Sequence, residues 1–230
     1  MHLIAAPSLA FARLAARFAG AFGGRRAIDG RPLGDYPEIR RQLAVAAADV
    51  FAIETAVEWS LADHTGVNPL YEQLAAKNIA SLASWRVVDR AMSIMAAEGL
   101  ETAGSKAGRG ADPSPLERAF RDARAMRVSG GIDFQLDNWA GRHLLTAYYE
   151  GATVHDVVPD LPALTLSARN AAHARFVADQ ARRLASTCAE LTGRHTREEL
   201  FERERAVILV HCYAGWAFAW ASRCPDCAEC

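Results

Sequence analysis

Apolar residues recur at helical spacing along most of the chain, and segments rich in glycine and proline divide this pattern into helices. A first helix is predicted from Ser8, as its N-cap, to the stop at Gly23 and Gly24. The turn-rich segment 25–35 follows, and Pro37 then begins a long helix that extends to His64. The apolar stripe of that helix consists of Leu43, Val50, Ile53, Val57 and Leu61.

The segment 66–69 ends this helix, and a further helix is predicted over 70–98. Residues 99–115 are rich in small and polar residues, which predicts an exposed loop. A short helix over 116–127 and a turn at 129–132 come next, and Asp133 is expected to cap a helix that extends to Tyr149.

Beyond a linker at 157–162, helices are predicted over 167–192 and 196–221, the latter beginning with a capping box. Long helices joined by short links predict an all-α protein. We expect a four-helix bundle over 1–150, a helical extension over 151–223 that packs against it, and a cysteine-containing tail over 224–230.

Charge and composition narrow the function classes. The 230 residues have a net charge of −1, which gives no indication of binding to nucleic acid or to an acidic membrane surface. The most apolar run, 206–220, is short for a membrane span, so we expect a cytoplasmic protein without one. No metal site is predicted. The role of Cys224, Cys227 and Cys230 stays open between an unstructured tail, a metal ligand set and a redox pair.

Two motifs resemble those of a known family. Residues 115–124 match P-x-E-R-x-x-R-D-A-[RK], and residues 26–33 are similar to R-x-x-F-G-x-P-[IL]. Both belong to the C-terminal helical domain of the flavin-dependent acyl-CoA dehydrogenases, and the resemblance covers 1–149. It implies FAD as cofactor, an acyl thioester as substrate, α,β-desaturation as the reaction and a bundle that forms the core of an oligomer.

The resemblance also implies cofactor-binding positions. Arg26 and Gly30 match the arginine that reaches the FAD pyrophosphate and the glycine of the same motif, whereas Asp29 replaces the phenylalanine. Ser93 and Ala97 fall in the Q-x-x-G-G-x-G element at the adenine end of FAD, where Ala96 also replaces a glycine. Since alanine hinders close backbone approach, we expect the isolated chain not to hold FAD stoichiometrically.

No catalytic residue is predicted. The family's glutamate base stands eight residues after the aspartate of R-D-A-R, and in this chain that position is Gly130. An alternative family position, on the first helix of the domain, falls before Met1. Asp133, Asp137 and Glu150 are expected to cap helices or lie on the surface, and the charged residues of R-D-A-R are expected to form ion pairs within their helix.

Two hypotheses follow. The chain is a component of a flavin oxidoreductase, inactive alone and completed by a partner that carries the N-terminal and β domains. Alternatively, it is a non-catalytic helical binding or assembly protein derived from the same fold. A yellow colour of the purified protein, alone or with a partner, would discriminate between them.

Overall fold

The computed structural model describes residues 2–61 and 70–144 and isolated positions between 168 and 186. The described helices are α1 (His2–Arg25), α2 (Pro37–Leu61), α3 (Leu70–Met95), α4 (Ala97–Leu100), α5 (Ala103–Gly108), α6 (Leu116–Met126) and α7 (Asp133–Leu144). The strands β1 (Ala27–Ile28) and β2 (Arg31–Pro32) form one antiparallel hairpin, which a short 3₁₀ turn, Leu33–Asp35, joins to α2. The predicted all-α class is confirmed.

The chain divides into two compact units. One consists of Met1–Leu61 and Ala76–Asp133, and the other of Ala62–Ala75 and Phe134–Cys230. Both family-like motifs lie in the first unit. The predicted helices over 167–192 and 196–221 lie outside the described residues, apart from isolated helical positions between 168 and 186. The predicted domain boundaries stay predictions.

Helix α1 packs through small residues. Its buried face consists of Ala5, Ser8, Ala12, Ala15, Ala19 and Phe22, a spacing of three or four residues that lies along one side of a helix. Small side chains let this helix approach α2, and Arg13 forms an ion pair with Glu54 of that helix at 2.5 Å. Among the described helices, the segment Leu3–Arg25 alone is long and apolar enough to cross a membrane, a test that a core helix of a bundle also passes.

The predicted start of α1 is wrong. The helix begins at His2 and contains Pro7, and Ser8 lies inside it. The Ser8 hydroxyl donates to the carbonyl of Ile4 at 2.8 Å instead of capping the helix N-terminus. Because Pro7 lies near the helix start, it interrupts the backbone hydrogen bonds only locally.

Helix α3 is largely buried. Between Leu74 and Val88 most of its side chains are buried, so it has no extended solvent-facing side there. Arg90, near its C-terminal end, donates to Gln42 of α2 at 2.7 Å and to Asp49 at 3.1 Å. On α2, Ile53 and Val57 are buried as the apolar stripe predicts, whereas Leu61 is 61% exposed.

The segment predicted as an exposed loop over 99–115 has structure of its own. Helix α5 lies within it, and the Thr102 hydroxyl caps that helix by accepting from the Ser105 amide at 3.2 Å. Lys106 of α5 is fully buried, and its ammonium donates to the carbonyl and to the hydroxyl of Ser114, both at 2.9 Å. The buried lysine thus joins α5 to the residues that immediately precede α6.

Candidate functional site

The hairpin that follows α1 presents the first cofactor-related motif. Ala27 pairs with Pro32 and Ile28 with Arg31, which leaves Asp29 and Gly30 as the two turn residues. Both have positive φ, +50° and +77°, as a two-residue type I′ hairpin requires. Asp-Gly is a preferred pair for this turn, so Asp29 has a local structural reason where the family motif has phenylalanine.

Arg26 is the exposed cation of this motif. Its side chain lies on the surface, and it makes no hydrogen bond or ion pair with any residue that the structure describes. Its backbone carbonyl accepts from the Leu33 amide at 2.6 Å, which fixes the base of the hairpin. At the hairpin tip, a side chain added at Gly30 would meet no atom within 4 Å, so the turn is open to an approaching ligand.

The second motif forms a turn between α3 and α4. Ala96 has φ +50° and ψ −130°, a conformation that glycine adopts easily and alanine adopts only under strain. Gly99 is buried, and a Cβ atom there would come within 3.2 Å of the Met92 backbone. The backbone therefore keeps a glycine-type turn although Ala96 and Ala97 have replaced two glycines.

Ser93 does not substitute for the family's glutamine. Its hydroxyl is exposed and donates to the Asp89 carbonyl one turn earlier in α3, at 3.1 Å. This bond uses the hydroxyl hydrogen within the helix itself. Ala97, the first residue of α4, is exposed and offers a methyl group.

An ion pair brings the two motifs together. Arg25, the last residue of α1, contacts Glu98 of α4, 73 residues later in the chain. Arg25 also lies over the ring of Phe22, 5.0 Å from its centroid. Because Arg26 and Ala97 are the sequence neighbours of this pair, the structure brings the hairpin and the α3–α4 turn to the same edge of one unit.

The turn after α6 holds the position at which the family has its base. Gly130 and Gly131 have φ values of +71° and +125°, and Gly130 is exposed. The buried ammonium of Lys77 donates to the carbonyl of Gly131 at 2.8 Å and to that of Arg127 at 3.2 Å. A buried side chain of α3 thus fixes the conformation of this turn.

A second layer of contacts supports the same turn. The Asn78 amide donates to the Asp133 carbonyl at 2.8 Å, and Arg127 forms an ion pair with the Asp133 carboxylate at 2.5 Å. The Arg127 guanidinium also lies 5.4 Å from the centroid of Trp85. Asp133 is therefore a structural residue at the start of α7, while Asp137 is half-buried and Glu150 lies outside the described residues.

Sequence reasoning missed Lys77 as a functional candidate. The chain pattern places it among apolar positions of α3, and only the folded contacts show what it binds. The signal that could have identified it is a lysine and an adjacent asparagine within the apolar stretch 74–80 of α3, because buried polar groups must be hydrogen-bonded.

The R-D-A-R segment forms ion pairs within α6, as expected. Arg121 bonds Glu117 through two nitrogens, at 2.7 and 3.2 Å, and Arg118 lies 3.5 Å from Asp122. Arg124 is exposed, and no partner for its side chain occurs among the residues that the structure describes. The buried face of α6, formed by Leu116, Ala119 and Ala123, carries its packing.

The α4–α5 segment has its own charge cluster. Glu101 receives hydrogen bonds from Arg109 and Ser105, which lower the pKa of its carboxyl to about 2. Burial lowers the pKa of the Lys106 ammonium, while the negative charges of Glu98, Glu101 and Asp112 oppose this effect. The described residues contain no group of three histidine, cysteine or acidic side chains suited to a metal ion. Cys224, Cys227 and Cys230 lie outside them.

Comparison with known proteins assigns the family. Residues 2–144 match the model of the acyl-CoA dehydrogenase C-terminal domain. The chain belongs to this family. The match covers both motif segments and ends in α7.

Individual relatives agree with this assignment. The probable acyl-CoA dehydrogenase FadE10 of Mycobacterium tuberculosis is 32% identical over 104 residues, 44% of this chain, and the Mycobacterium bovis protein of the same name matches equally. Among solved structures, acyl-CoA oxidase 1 of Arabidopsis thaliana and an acyl-CoA oxidase of tomato cover 96% of the chain, with TM-scores of 0.70 and 0.71. Both are 14% identical, so this likeness concerns the fold alone.

The chain matches only part of these proteins. The match covers 16% of the FadE10 sequence, and 38% and 39% of the two oxidase chains. The family is flavin-dependent in general.

Proposed function

We propose that this chain supplies the C-terminal helical module of an acyl-CoA dehydrogenase-like flavin oxidoreductase. The reaction is α,β-desaturation of an acyl thioester, and a partner carries the N-terminal and β domains. The observation that carries the proposal is the Arg25–Glu98 contact, which joins the two cofactor-related motifs at one edge of a single unit.

The residues of this edge fit one end of FAD better than the other. Arg26 is an exposed guanidinium without a described partner, at the base of the hairpin whose open turn contains Gly30, and a guanidinium suits bidentate contact with phosphate. At the α3–α4 turn, the methyl groups of Ala96 and Ala97 lie on the surface where glycines would leave room. The proposal therefore assigns the pyrophosphate contact to Arg26 and leaves the adenosine to the partner.

The turn at 128–132 supports inactivity of the chain by itself. Removal of an α-proton requires a carboxylate held against the substrate carbon. Gly130 has no side chain. The side chains of Lys77 and Asn78 hold the turn around it by donating to the backbone carbonyls of Gly131 and Asp133. In the proposed enzyme, the base comes with the partner, and this module contributes the scaffold and the Arg26 contact.

A second candidate function is a non-catalytic binding or assembly subunit. The strained Ala96 conformation favours it, because the glycine-type turn persists without the glycines that admit a cofactor. Under this hypothesis the R-D-A-R helix serves packing only, through Leu116, Ala119 and Ala123. The protein would then remain colourless with every partner.

The deciding experiment is co-expression. The purified chain is compared with the chain co-purified with the product of an adjacent gene that encodes N-terminal and β domains of the same family. Flavin absorbance and acyl-CoA-dependent dye reduction are measured on both samples. The proposal requires a yellow, active complex and a colourless, inactive chain. A stable complex without flavin would instead support the assembly function.

Assembly and location belong to the same proposal. We expect a cytoplasmic protein that forms a homo- or hetero-oligomer, as homologous family members act as oligomers. Light scattering at tens of micromolar tests this expectation, and a strict monomer with no partner present would count against it.

A further inference from the structure

One face of the hairpin carries two arginines. Ile28 pairs with Arg31. Arg26 lies just before β1, and its carbonyl accepts from the Leu33 amide at 2.6 Å, which continues the antiparallel pairing by one residue beyond the strand. Because side chains alternate across a strand, Arg26 and Arg31 share a face and stand as diagonal neighbours across the hairpin. Such neighbours are roughly 7–8 Å apart, a spacing from which two long side chains can reach one diphosphate group.

Arg31 is held in place without using its hydrogen-bond donors. Its guanidinium carbon lies 3.7 Å from the ring centroid of Tyr36, which is a close cation–π contact. The Tyr36 hydroxyl in turn donates to the Ile28 carbonyl at 3.0 Å and so fixes the ring against the hairpin. Among the described residues, none forms a hydrogen bond or ion pair with the Arg31 side chain. Its N–H groups are oriented and free.

The charged residues near the hairpin form few ion pairs with these two arginines. Arg25, the adjacent cation, is neutralised by Glu98. The Asp29 carboxylate lies 3.5 Å from the Tyr36 hydroxyl. Among the described residues, Arg26 and Arg31 thus have no ion-pair partner, and Asp29 is the carboxylate of the turn between their strands.

We propose that Arg31 is a second phosphate-binding residue, which together with Arg26 forms a clamp for the diphosphate of an adenosine-containing cofactor. The inference rests on the proposed function for the nature of the ligand. Both FAD and coenzyme A contain a diphosphate, and the geometry of the clamp suits either. The role of Tyr36 is to stack beneath Arg31, so that little side-chain entropy is lost when the ligand binds.

Titration of the purified chain with inorganic pyrophosphate at low ionic strength tests the clamp. Arg31→Gln and Arg26→Gln should each weaken binding about tenfold, since each removes charge-assisted hydrogen bonds. Arg124→Gln is the matched control, because it removes another exposed arginine without a described partner, from α6. Equal effects of Arg31→Gln and Arg124→Gln, or no binding by the unmodified chain at millimolar pyrophosphate, would overturn the proposal.

Tyr36 provides a second, independent test. Tyr36→Phe keeps the ring beneath Arg31 and should bind pyrophosphate within about twofold of the unmodified chain, whereas Tyr36→Leu should weaken binding severalfold. Equal binding of pyrophosphate by both variants would show that the stacking of Arg31 on Tyr36 does not contribute to the site. Circular dichroism of each variant checks that the helices are intact.

Titrations with FAD and with coenzyme A separate the two ligands, with the same variants in each series. A loss of FAD affinity in Arg31→Gln supports both the clamp and the flavin function. A loss confined to coenzyme A supports the clamp and contradicts the assignment of Arg26 to flavin. Retention of affinity for all three ligands in Arg31→Gln would contradict the clamp. The proposed function would then be tested by the co-expression experiment alone.

Discussion

The ammonium of Lys77 donates to the carbonyl of Gly131 at 2.8 Å, although 54 residues separate them in the chain. The same ammonium reaches the Arg127 carbonyl at the end of α6. A positive charge at a helix C-terminus is favourable, because it offsets the partial negative charge of the last carbonyls. This single buried side chain thus fixes both the end of α6 and the turn that contains Gly130.

Lys77→Met should destabilise the protein by about 3 kcal/mol, because it leaves two half-buried carbonyls without this donor. Urea unfolding measures the loss, and hydrogen exchange should accelerate in the peptide that covers 127–133. Arg118→Gln serves as the control, since it removes a solvent-exposed ion pair of α6 and should cost at most about 0.5 kcal/mol. A cost for Lys77→Met as small as that of the control would show that the turn does not depend on Lys77.

Ala96→Gly should stabilise the protein by about 1 kcal/mol. Glycine removes the strain of an alanine at φ +50°, and this gain exceeds the entropy that glycine adds to the unfolded chain. Gly99→Ala should act in the opposite sense and cost about 1–3 kcal/mol, because its Cβ atom would press on the Met92 backbone. Thermal unfolding of both variants decides the matter, and a lower Tm for Ala96→Gly would contradict the strained conformation.

Much of the helical framework could be predicted from sequence, because long amphipathic helices leave a periodic pattern. The start of α2 and both ends of α6 agree with that pattern within a few residues, while the predicted end of α2 at His64 lies outside the described residues. The pattern failed where local chemistry decides: Ser8 resembles an N-cap yet lies within α1, and the polar segment 99–115 contains the helix built around Lys106. A polar composition does not show that Lys106 is buried, because its hydrogen bonds to Ser114 form only when the chain is folded.

Only those contacts of the candidate site that are local in the sequence could be predicted. Arg26 and Gly30 belong to one short motif, so their proximity follows from the sequence. The Arg25–Glu98 contact depends on how α1 and α4 meet, and a motif search contains no information on that. The stacking of Arg31 on Tyr36 likewise appears only once the hairpin turns back toward α2.

Glu101 should titrate far below a normal glutamate. Hydrogen bonds from Arg109 and Ser105 lower the pKa of its carboxyl to about 2, from an ordinary value of 4.5. Its contribution to stability is therefore present above pH 4.5 and is lost as the pH falls toward 2. Carboxyl NMR titration measures this pKa, and Arg109→Gln should move it upward toward 4.5. An unchanged pKa in that variant would exclude Arg109 as the main cause.

Lys106 should make stability rise with pH in the alkaline range. Burial lowers the pKa of its ammonium below 10.5, although Glu98, Glu101 and Asp112 favour the charged form and Arg109 opposes it. Between the lowered pKa and 10.5, the unfolded chain binds the proton more strongly, so a rise in pH favours the folded state. Comparison of urea unfolding at several alkaline pH values, with Lys106→Met as reference, isolates this contribution. The stability of the unmodified chain should gain on that of the variant as the pH rises, and a constant difference would contradict the lowered pKa.

Gly130→Glu restores a carboxylate at the position where the family has its base. The backbone there has φ +71°, so glutamate should cost about 1 kcal/mol of stability, and since Gly130 is exposed the chain should still fold. We predict no dehydrogenase activity from the variant alone, because catalysis requires base, thioester and flavin held together within near-attack distance. Acyl-CoA-dependent dye reduction should appear only when a partner supplies the N-terminal and β domains. Activity of the Gly130→Glu chain by itself would contradict the proposal that a partner completes this enzyme.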